Sequence, residues 1–230
     1  MSETKRWVIG DVHGCAKTLR ALVEDKIQPG RQDKIIFVGD YIDRGPDSKG
    51  VVSYLMELRL MGYNTIFIKG NHEEMLLRSI FNKQIKKDWF YNGGMSTLQS
   101  FGVREAQEVS EHFREFLQTM DFYHLMDDFI VVHAGLNFDI ANPLEDTEGM
   151  LWLRNTYIYP EKIGNRTMVH GHTPTVLDKI KEAIDTHSKD LDLDGGCVYF
   201  GTEGLGNLCA LELNTMRLEV QRNVDVGGFQ

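Results

Sequence analysis

Short apolar runs that end in a polar, glycine-containing turn recur along this chain. Three of them lead into Asp or Asn: Trp7–Ile9 into Gly10-Asp11, Ile35–Val38 into Gly39-Asp40, and Ile66–Ile68 into Lys69-Gly70-Asn71. Two later turns carry histidines, at 133–135 and 170–173. Short apolar runs are typical of buried strands, and open α/β sheets bind ligands at the carboxyl ends of their strands. We therefore expect the five turns to meet at one pocket.

Between the turns, apolar positions repeat at helical spacing. Leu19, Leu22 and Val23 predict a helix within 15–25, and a second apolar stripe predicts a helix over 48–61. An insert at about 78–128 carries a third stripe over 108–125, which predicts a helical lobe beside the pocket. Near the carboxyl end, alternation around Asn214-Thr215 predicts two paired strands. Strands that alternate with helices predict an α/β fold.

Composition narrows the classes of protein without choosing a function. The 230 residues suit one large domain over 1–230, because chains of this length bury about 70% or more of their unfolded surface. The formal charge is −9, which disfavours a nucleic-acid partner. The sequence contains no stretch of about 18 apolar residues, so we expect no membrane span. The first apolar run is too short for a signal peptide. With three scattered cysteines and no disulfide framework, we expect a cytoplasmic protein.

The side chains in these turns are of the kinds that bind divalent metal ions. Carboxylate, amide oxygen and imidazole without thiolate suit manganese, iron, zinc or magnesium. Six such ligands are too many for one tetrahedral ion but fit two ions that share a carboxylate: Asp11, His13, Asp40, Asn71, His133 and His172. Two adjacent ions activate a water and stabilise both the attacking and the leaving oxygen of a phosphoryl displacement. The expected reaction is therefore phosphate ester hydrolysis.

Three of the motifs resemble those of a known family. Gly-Asp-Val-His-Gly at 10–14, Gly-Asp-Tyr-Ile-Asp-Arg-Gly at 39–45 and Gly-Asn-His-Glu at 70–73 resemble the leading motifs of the phosphoprotein phosphatases, a branch of the calcineurin-like metallophosphoesterases. The resemblance extends from about residue 6 to about 200, and the short chain is similar to the compact bacterial and phage members. It implies a four-layer sandwich in which two central mixed β-sheets are flanked by helices, with the metals at the sheet edge.

The resemblance also implies roles for the turn residues. It implies two divalent ions, for which manganese is the preferred metal. Asp11 and His13 bind the first ion, Asn71, His133 and His172 bind the second, and Asp40 bridges the two. His72 is the implied proton donor to the leaving alkoxide, and Asp43 would favour its charged form. Arg44, Arg154 and Asn71 are the implied phosphate-binding side chains.

Two departures from related families favour a phosphomonoester as substrate. Pro174 stands where many diesterases of the superfamily have a second histidine, which disfavours a nuclease. Asp43 is typically absent from the related symmetrical dinucleoside tetraphosphate hydrolases, whose phosphoanhydride leaving group has less need of an acid. We therefore expect a serine/threonine protein phosphatase that acts on a phosphorylated protein or a small phosphomonoester, with phosphotyrosine as a further substrate.

Two alternative functions stay open at this stage. A symmetrical dinucleoside polyphosphate hydrolase is the second enzyme hypothesis, and a noncatalytic phosphate-binding module is the hypothesis from another class. The loop Asn92–Thr97 also has two interpretations. It either approaches the substrate, or it is a turn in which Ser96 or Thr97 caps a helix.

Overall fold

The computed structural model describes residues 4–154 and 157–225. Strands in this part of the chain form two mixed sheets. In chain order they are β1 (Arg6–Ile9), β2 (Lys34–Phe37), β3 (Asn64–Phe67), β4 (Tyr123–Leu125), β5 (Phe129–Val132), β6 (Thr167–His170), β7 (Asp190–Asp192), β8 (Asn207–Glu212) and β9 (Arg217–Arg222). The first sheet has the order β3-β2-β1-β8-β9, and the second has the order β4-β5-β6-β7.

Each sheet contains three neighbouring strands that run parallel. They are β1, β2 and β3 in the first sheet, and β5, β6 and β7 in the second. The strands β4, β8 and β9 pair antiparallel with their neighbours. Because parallel strands run in the same direction, their carboxyl ends lie at the same edge of the sheet. The hairpin predicted near the carboxyl end is confirmed as β8 and β9.

The two sheets face each other across an apolar core. Side chains alternate between the faces of a strand, so Val8 packs against Val131 and Val169 of the second sheet, whereas its neighbour Trp7 packs among helices. Ile130 lies on the outer face of the second sheet with its own apolar cluster. Two mixed sheets with helices and apolar clusters on their outer faces confirm the expected α/β fold class.

Eight α-helices are formed within the described residues. They are α1 (Ala16–Ala21), α2 (Ser48–Leu60), α3 (Asn71–Ser79), α4 (Lys83–Tyr91), α5 (Gly94–Phe101), α6 (Glu111–Gln118), α7 (Thr147–Trp152) and α8 (Leu177–Asp185). The helix predicted over 48–61 is confirmed as α2. The helix predicted within 15–25 is formed by α1 and a π-helical turn at Leu22–Ile27.

The helix predicted over 108–125 is wrong at its carboxyl end. α6 ends at Gln118, and the residues that follow join the second sheet as β4. Tyr123 pairs with Val132 and Leu125 with Ile130, so strand pairing outweighs the local apolar periodicity. No helix of the part that the structure describes is long and apolar enough to cross a membrane.

Candidate metal centre

The polar turns converge at the carboxyl ends of the parallel strands of both sheets. Asp11 and Asp40 follow β1 and β2, α3 begins at Asn71 just after β3, and His133 and His172 follow β5 and β6. All five side chains are buried. The Asp11 carboxylate accepts a hydrogen bond from the backbone N–H of His172 at 3.0 Å, although 161 residues separate them. The structure thus brings the predicted ligands together, while their roles stay predictions.

Three ligand atoms meet closely in one half of this centre. Asn71 Oδ1 lies 2.9 Å from His133 Nε2 and 3.1 Å from His172 Nδ1. Ligands bound to one ion at about 2.0–2.2 Å stand roughly 3 Å or slightly more from each other. The spacing of these three atoms therefore fits a shared ion.

Asp40 reaches both halves of the centre with different oxygens. Its Oδ1 lies 3.4 Å from His133 Nε2, and its Oδ2 lies 3.5 Å from His13 Nε2. Although burial opposes the charge, His133 and His72 hold the pKa of Asp40 well below its ordinary value. A charged carboxylate between two sets of ligands is what a bridge between two ions requires.

His13 and His133 are held in the tautomer that a metal ligand needs. The Nδ1–H of His13 donates to the Ile42 carbonyl at 2.9 Å, and that of His133 donates to the Val38 carbonyl at 3.0 Å. An Nδ1 proton fixed in this way leaves the Nε2 lone pair directed into the centre.

Burial keeps the three histidines in the neutral form that metal binding requires. It lowers the pKa of His13 and His133, and burial together with His133 lowers the pKa of His172 to about 3. The carboxylate of Asp11 behaves in the opposite way, because burial, Asp194 and Asp40 raise its pKa and disfavour the charged form while no cation is bound. The buried Oδ1 of Asp11 has no hydrogen-bond partner within residues 4–154 and 157–225. A cation would bind this oxygen and offset the repulsion between the carboxylates, so the residues fit divalent ions.

His72 differs from the other histidines of the centre. Its Nδ1–H donates to Asp43 Oδ2 at 2.6 Å, and its Nε2 lies 3.9 Å from Asp40 Oδ2. It therefore stands in a cluster with His13 and Asp40, in the half that the resemblance assigns to Asp11. Although burial opposes the charge, Asp40 and Asp43 raise the pKa of His72. Its Nδ1 is committed to Asp43 and only its Nε2 faces the centre, so the role of His72 as a proton donor rather than a ligand stays a prediction.

Asp43 is fully buried and held by side chains of α4 and α5. Trp89 Nε1–H donates to Asp43 Oδ2 at 2.7 Å, and the Thr97 hydroxyl donates to Oδ1 at 2.5 Å. With His72 as a third donor, the carboxylate is held in one orientation. The interpretation of Thr97 or Ser96 as a helix cap is wrong, because α5 begins after Gly93 without a side-chain cap. Sequence reasoning assigned neither Trp89 nor Thr97 to the site.

Glu73 is a further site residue to which sequence reasoning gave no role. Its buried carboxylate accepts the backbone N–H groups of Asp40, Tyr41 and Gly70 at 2.9–3.0 Å, and that of Ile42 at 3.3 Å. Burial and Asp40 raise the pKa of Glu73 to about 8, whereas the four donors favour the charged form. The available signal was its place three residues after the helix N-cap, as in a capping box.

Five residues of the centre have left-handed backbone conformations. The values of φ are 44° for His13, 51° for Asp40, 72° for Asp43, 65° for Arg44 and 74° for His172. A residue with a Cβ adopts this conformation at a cost of roughly 1–2 kcal/mol. Backbone strain of this kind clusters at functional sites, where the surrounding contacts must hold it.

The two predicted phosphate-binding arginines lie in different surroundings. Arg44 is half-buried within the centre, and its Nη1 donates to His13 Nε2 at 2.7 Å. Arg154 is exposed, and its Nε donates at 3.2 Å to the hydroxyl of Thr173, which follows His172. Arg44 therefore lies beside the predicted ligands, and Arg154 lies at the rim.

Comparison with known proteins places the chain in a family. The sequence profile of the calcineurin-like phosphoesterases matches residues 4–222. The chain is a calcineurin-like phosphoesterase. The family assignment made from the three leading motifs is therefore confirmed. Divalent metals are the cofactors of this family. Two buried groups of side chains lie close enough together to hold such ions: His13, Asp40 and His72 in one group, and Asp40, His133 and His172 in the other.

Relatives of this calcineurin-like phosphoesterase carry different substrate names. Serine/threonine-protein phosphatase 1 of Salmonella typhimurium is 42% identical over 89 residues, which is 38% of each chain. The asymmetrical bis(5'-nucleosyl)-tetraphosphatase PrpE of Halalkalibacterium halodurans is 25% identical over 225 residues, 84% of this chain and 86% of that protein. A protein serine/threonine phosphatase from Saccharomyces cerevisiae has a similar structure, with a TM-score of 0.67, 17% identity and coverage of 97% and 81%. This last likeness shows the fold alone.

Metal content tests the two-ion assignment directly. Purified protein is expected to bind two Mn²⁺ ions, and Asp40→Asn should weaken both because one carboxylate is shared. Elemental analysis after dialysis against a Mn²⁺ series measures the stoichiometry. Asp178→Asn, which changes an exposed aspartate, serves as the matched control. A wild-type protein that saturates at one ion contradicts the assignment.

Stability tests the role of Glu73. Glu73→Gln is expected to lower the free energy of unfolding by about 2–6 kcal/mol, because an amide NH2 replaces an oxygen that accepts two of the four buried N–H groups, at about 1–3 kcal/mol each. Urea unfolding measures the change, and Glu115→Gln at an exposed position of α6 should stay within about 0.5 kcal/mol of wild type. Equal stability of the two variants would show that the four hydrogen bonds contribute little to the free energy of unfolding.

Proposed function

We propose that this calcineurin-like phosphoesterase hydrolyses phosphate monoesters, chiefly as a serine/threonine protein phosphatase. Phosphorylated proteins and small phosphomonoesters are its proposed substrates, with phosphotyrosine included. The buried pair of His72 and Asp43 is the observation that carries the proposal. The local similarity to a serine/threonine-protein phosphatase points the same way.

The pair matters because an alkoxide leaves poorly unless it receives a proton. A positioned general acid contributes on the order of 10² to 10⁴ in rate. His72 faces the centre with Nε2, and Asp43 binds the other ring nitrogen at 2.6 Å while two donors of the helical insert hold its carboxylate. A phosphoanhydride leaving group has less need of such help, so a fully built proton donor favours monoesters.

The remaining side chains complete the proposed reaction. The six predicted ligands would hold two divalent ions, which would supply hydroxide from a water of lowered pKa and neutralise charge on the phosphoryl group. Arg44 and Asn71 bind phosphate oxygens, with Arg154 approaching from the rim. His72 gives its proton to the leaving oxygen, and Asp43 stabilises the charged ring before that transfer. The attack on phosphorus is direct, without a phosphorylated side chain as intermediate.

Metal identity and location are part of the same proposal. Nitrogen and oxygen ligands without sulfur suit manganese, and iron, zinc or magnesium fit the same set. Cys15, Cys197 and Cys209 are buried free thiols, which fits a protein of the reducing cytoplasm. A noncatalytic phosphate-binding module is disfavoured, because such a module would have no use for a buried proton donor beside the metal ligands.

Hydrolysis of dinucleoside tetraphosphates is the second candidate function. Relatives named for it align over most of this chain, and their names specify asymmetrical cleavage, unlike the symmetrical type that the sequence left open as an alternative. A cavity of about 230 Å³ beside Arg154 is also lined by Lys179 and His170, together with Asp190 and Asp192. Burial lowers the pKa of His170, but Asp190 and Asp192 outweigh it and raise that pKa to about 9. Three cations would attract the additional phosphates, although the two aspartates offset much of their charge.

Parallel substrate assays distinguish the two functions. With Mn²⁺, kcat/KM for a phosphoserine peptide is expected to exceed that for diadenosine tetraphosphate. Phosphate release and nucleotide chromatography measure the two rates, and ATP with AMP as products would identify asymmetrical cleavage. Faster turnover of the nucleotide would overturn the choice of monoesters.

The leaving group tests His72 and Asp43 together. His72→Asn should keep its metal but lose about 10² to 10⁴ in kcat on a phosphoserine peptide, with a smaller loss on p-nitrophenyl phosphate. Asp43→Asn should show the same pattern more mildly. It should also move the high-pH fall of kcat to lower pH, because a carboxylate that raises the pKa of His72 is removed.

Steady-state kinetics with both substrates measure this pattern across pH. His187→Asn, at an exposed histidine, is the matched control and should resemble wild type. Equal losses on the alkyl and the aryl substrate, at unchanged metal content, would leave His72 with a positioning role only.

A further inference from the structure

A cavity of about 230 Å³ opens beside Arg44, on the surface next to the metal centre. The residues that line it are Arg44, Tyr91, Asn92, Gly93 and Tyr199. Tyr91 is 93% exposed at the end of α4, whereas Tyr199 is partly buried against the core of the first sheet. Two phenol rings beside a guanidinium offer apolar aromatic surface next to a predicted phosphate-binding group.

This cavity lies on the proton-donor side of the centre. Arg44 contacts His13, and the ring of His13 meets that of His72 edge to face with centroids 4.8 Å apart. Asn71 and His133 lie together in the other half, where they meet His172. Two side-chain contacts therefore link the cavity to the proposed proton donor, which would place the leaving group on the side of Arg44 and the two tyrosines.

The turn that carries Tyr91 is fixed to the centre. The backbone N–H of Arg44 donates to the Gly93 carbonyl at 3.3 Å, and Trp89 of the same helix is bonded to Asp43. Gly93 has a φ of 105°, and a Cβ there would lie 2.9 Å from the Arg44 side chain. An anchored turn holds the backbone of Tyr91 in place, so binding would have to order only its side chain.

We propose that Tyr91 and Tyr199 form a subsite for a planar aromatic ring attached to the leaving oxygen, as in a phosphotyrosyl peptide. This subsite rests on the phosphomonoesterase function proposed above and adds a determinant of substrate choice. The volume is below the roughly 300–1,000 Å³ of pockets for drug-sized ligands, so one ring fits better than a nucleoside. Among the five lining residues only Arg44 is charged, which offers little to additional phosphates.

Binding of two phosphonates tests the subsite without any turnover. Calorimetry on the Mn²⁺-loaded full chain should show phenylphosphonate bound roughly two- to tenfold more tightly than methylphosphonate. Tyr91→Ala should abolish this difference, whereas Tyr91→Phe should retain it because the ring is kept. Phe81→Ala, at another exposed aromatic residue that does not line the cavity, should keep the wild-type preference.

Kinetics with two peptides of one sequence provide the second readout. Tyr91→Ala should raise KM for the phosphotyrosine peptide by roughly two- to tenfold with little change in kcat, and should affect the phosphoserine peptide far less. Variants of the proton donor act on kcat, so the two roles are separable. Failure of all monoester turnover would defeat the proposed function alone, because the phosphonates still report on the subsite.

Two results would overturn the subsite. One is an equal response of both phosphonates, or of both peptides, to Tyr91→Ala. The other is weaker binding of AMP by this variant while phenylphosphonate binding is unchanged, which would assign the cavity to a nucleoside.

Discussion

The carboxylate of Glu73 is the interaction on which the geometry of the metal centre depends. It accepts four backbone N–H groups from two turns, one after β2 and one at the start of α3. Those turns carry the predicted bridge Asp40 and the pair Asn71 and His72. Loss of the acceptor would leave buried N–H groups unpaired at about 1–3 kcal/mol each. Ligand positions are thus set by a side chain to which no ligand or catalytic role is assigned.

The same hydrogen bonds explain how strained backbone persists around the centre. Asp40 has a positive φ, and its own N–H is bonded to Glu73 while its carboxylate receives the N–H of His72 at 3.1 Å. Each contact is ordinary in strength, but together they outweigh the roughly 1–2 kcal/mol that a left-handed residue costs. Rigidity at Asp40 in turn keeps its two oxygens facing different sets of histidines.

The fold was predictable where local pattern and tertiary contact agree. Apolar runs at Trp7–Ile9 and Ile35–Phe37 are strands, and the stripe over 48–61 is a helix, because burial on a sheet face and on a helix face each leave a periodic trace. The stripe over 108–125 misled, since pairing of Tyr123–Leu125 with β5 leaves no trace within the segment itself. Local periodicity cannot report a partner that is distant in sequence.

The residues of the candidate site also fall into those that a local sequence pattern reveals and those that it does not. Its predicted ligands were recognisable because each sits in a short motif after a strand. Trp89 and Thr97 reach Asp43 from 46 and 54 residues away. Trp89 carries no motif, and the loop that contains Thr97 gave no sign of a bond to Asp43. Arg154 was assigned from a short motif and lies at the rim. Hydrogen-bond partners of a functional residue are set by the packing of whole elements, which a linear pattern does not encode.

The attachment of α4 and α5 to Asp43 limits how the helical insert can be replaced during evolution. A helical insert joined to a scaffold by exposed loops can be lengthened, deleted or exchanged between relatives with little effect on the scaffold. Here the insert supplies the indole and the hydroxyl that bind a buried carboxylate, and its turn at Gly93 packs directly on Arg44. A chimaera that keeps every predicted metal ligand but imports a foreign insert would leave Asp43 without two of its three side-chain donors. The insert and the predicted proton donor are therefore expected to be inherited together.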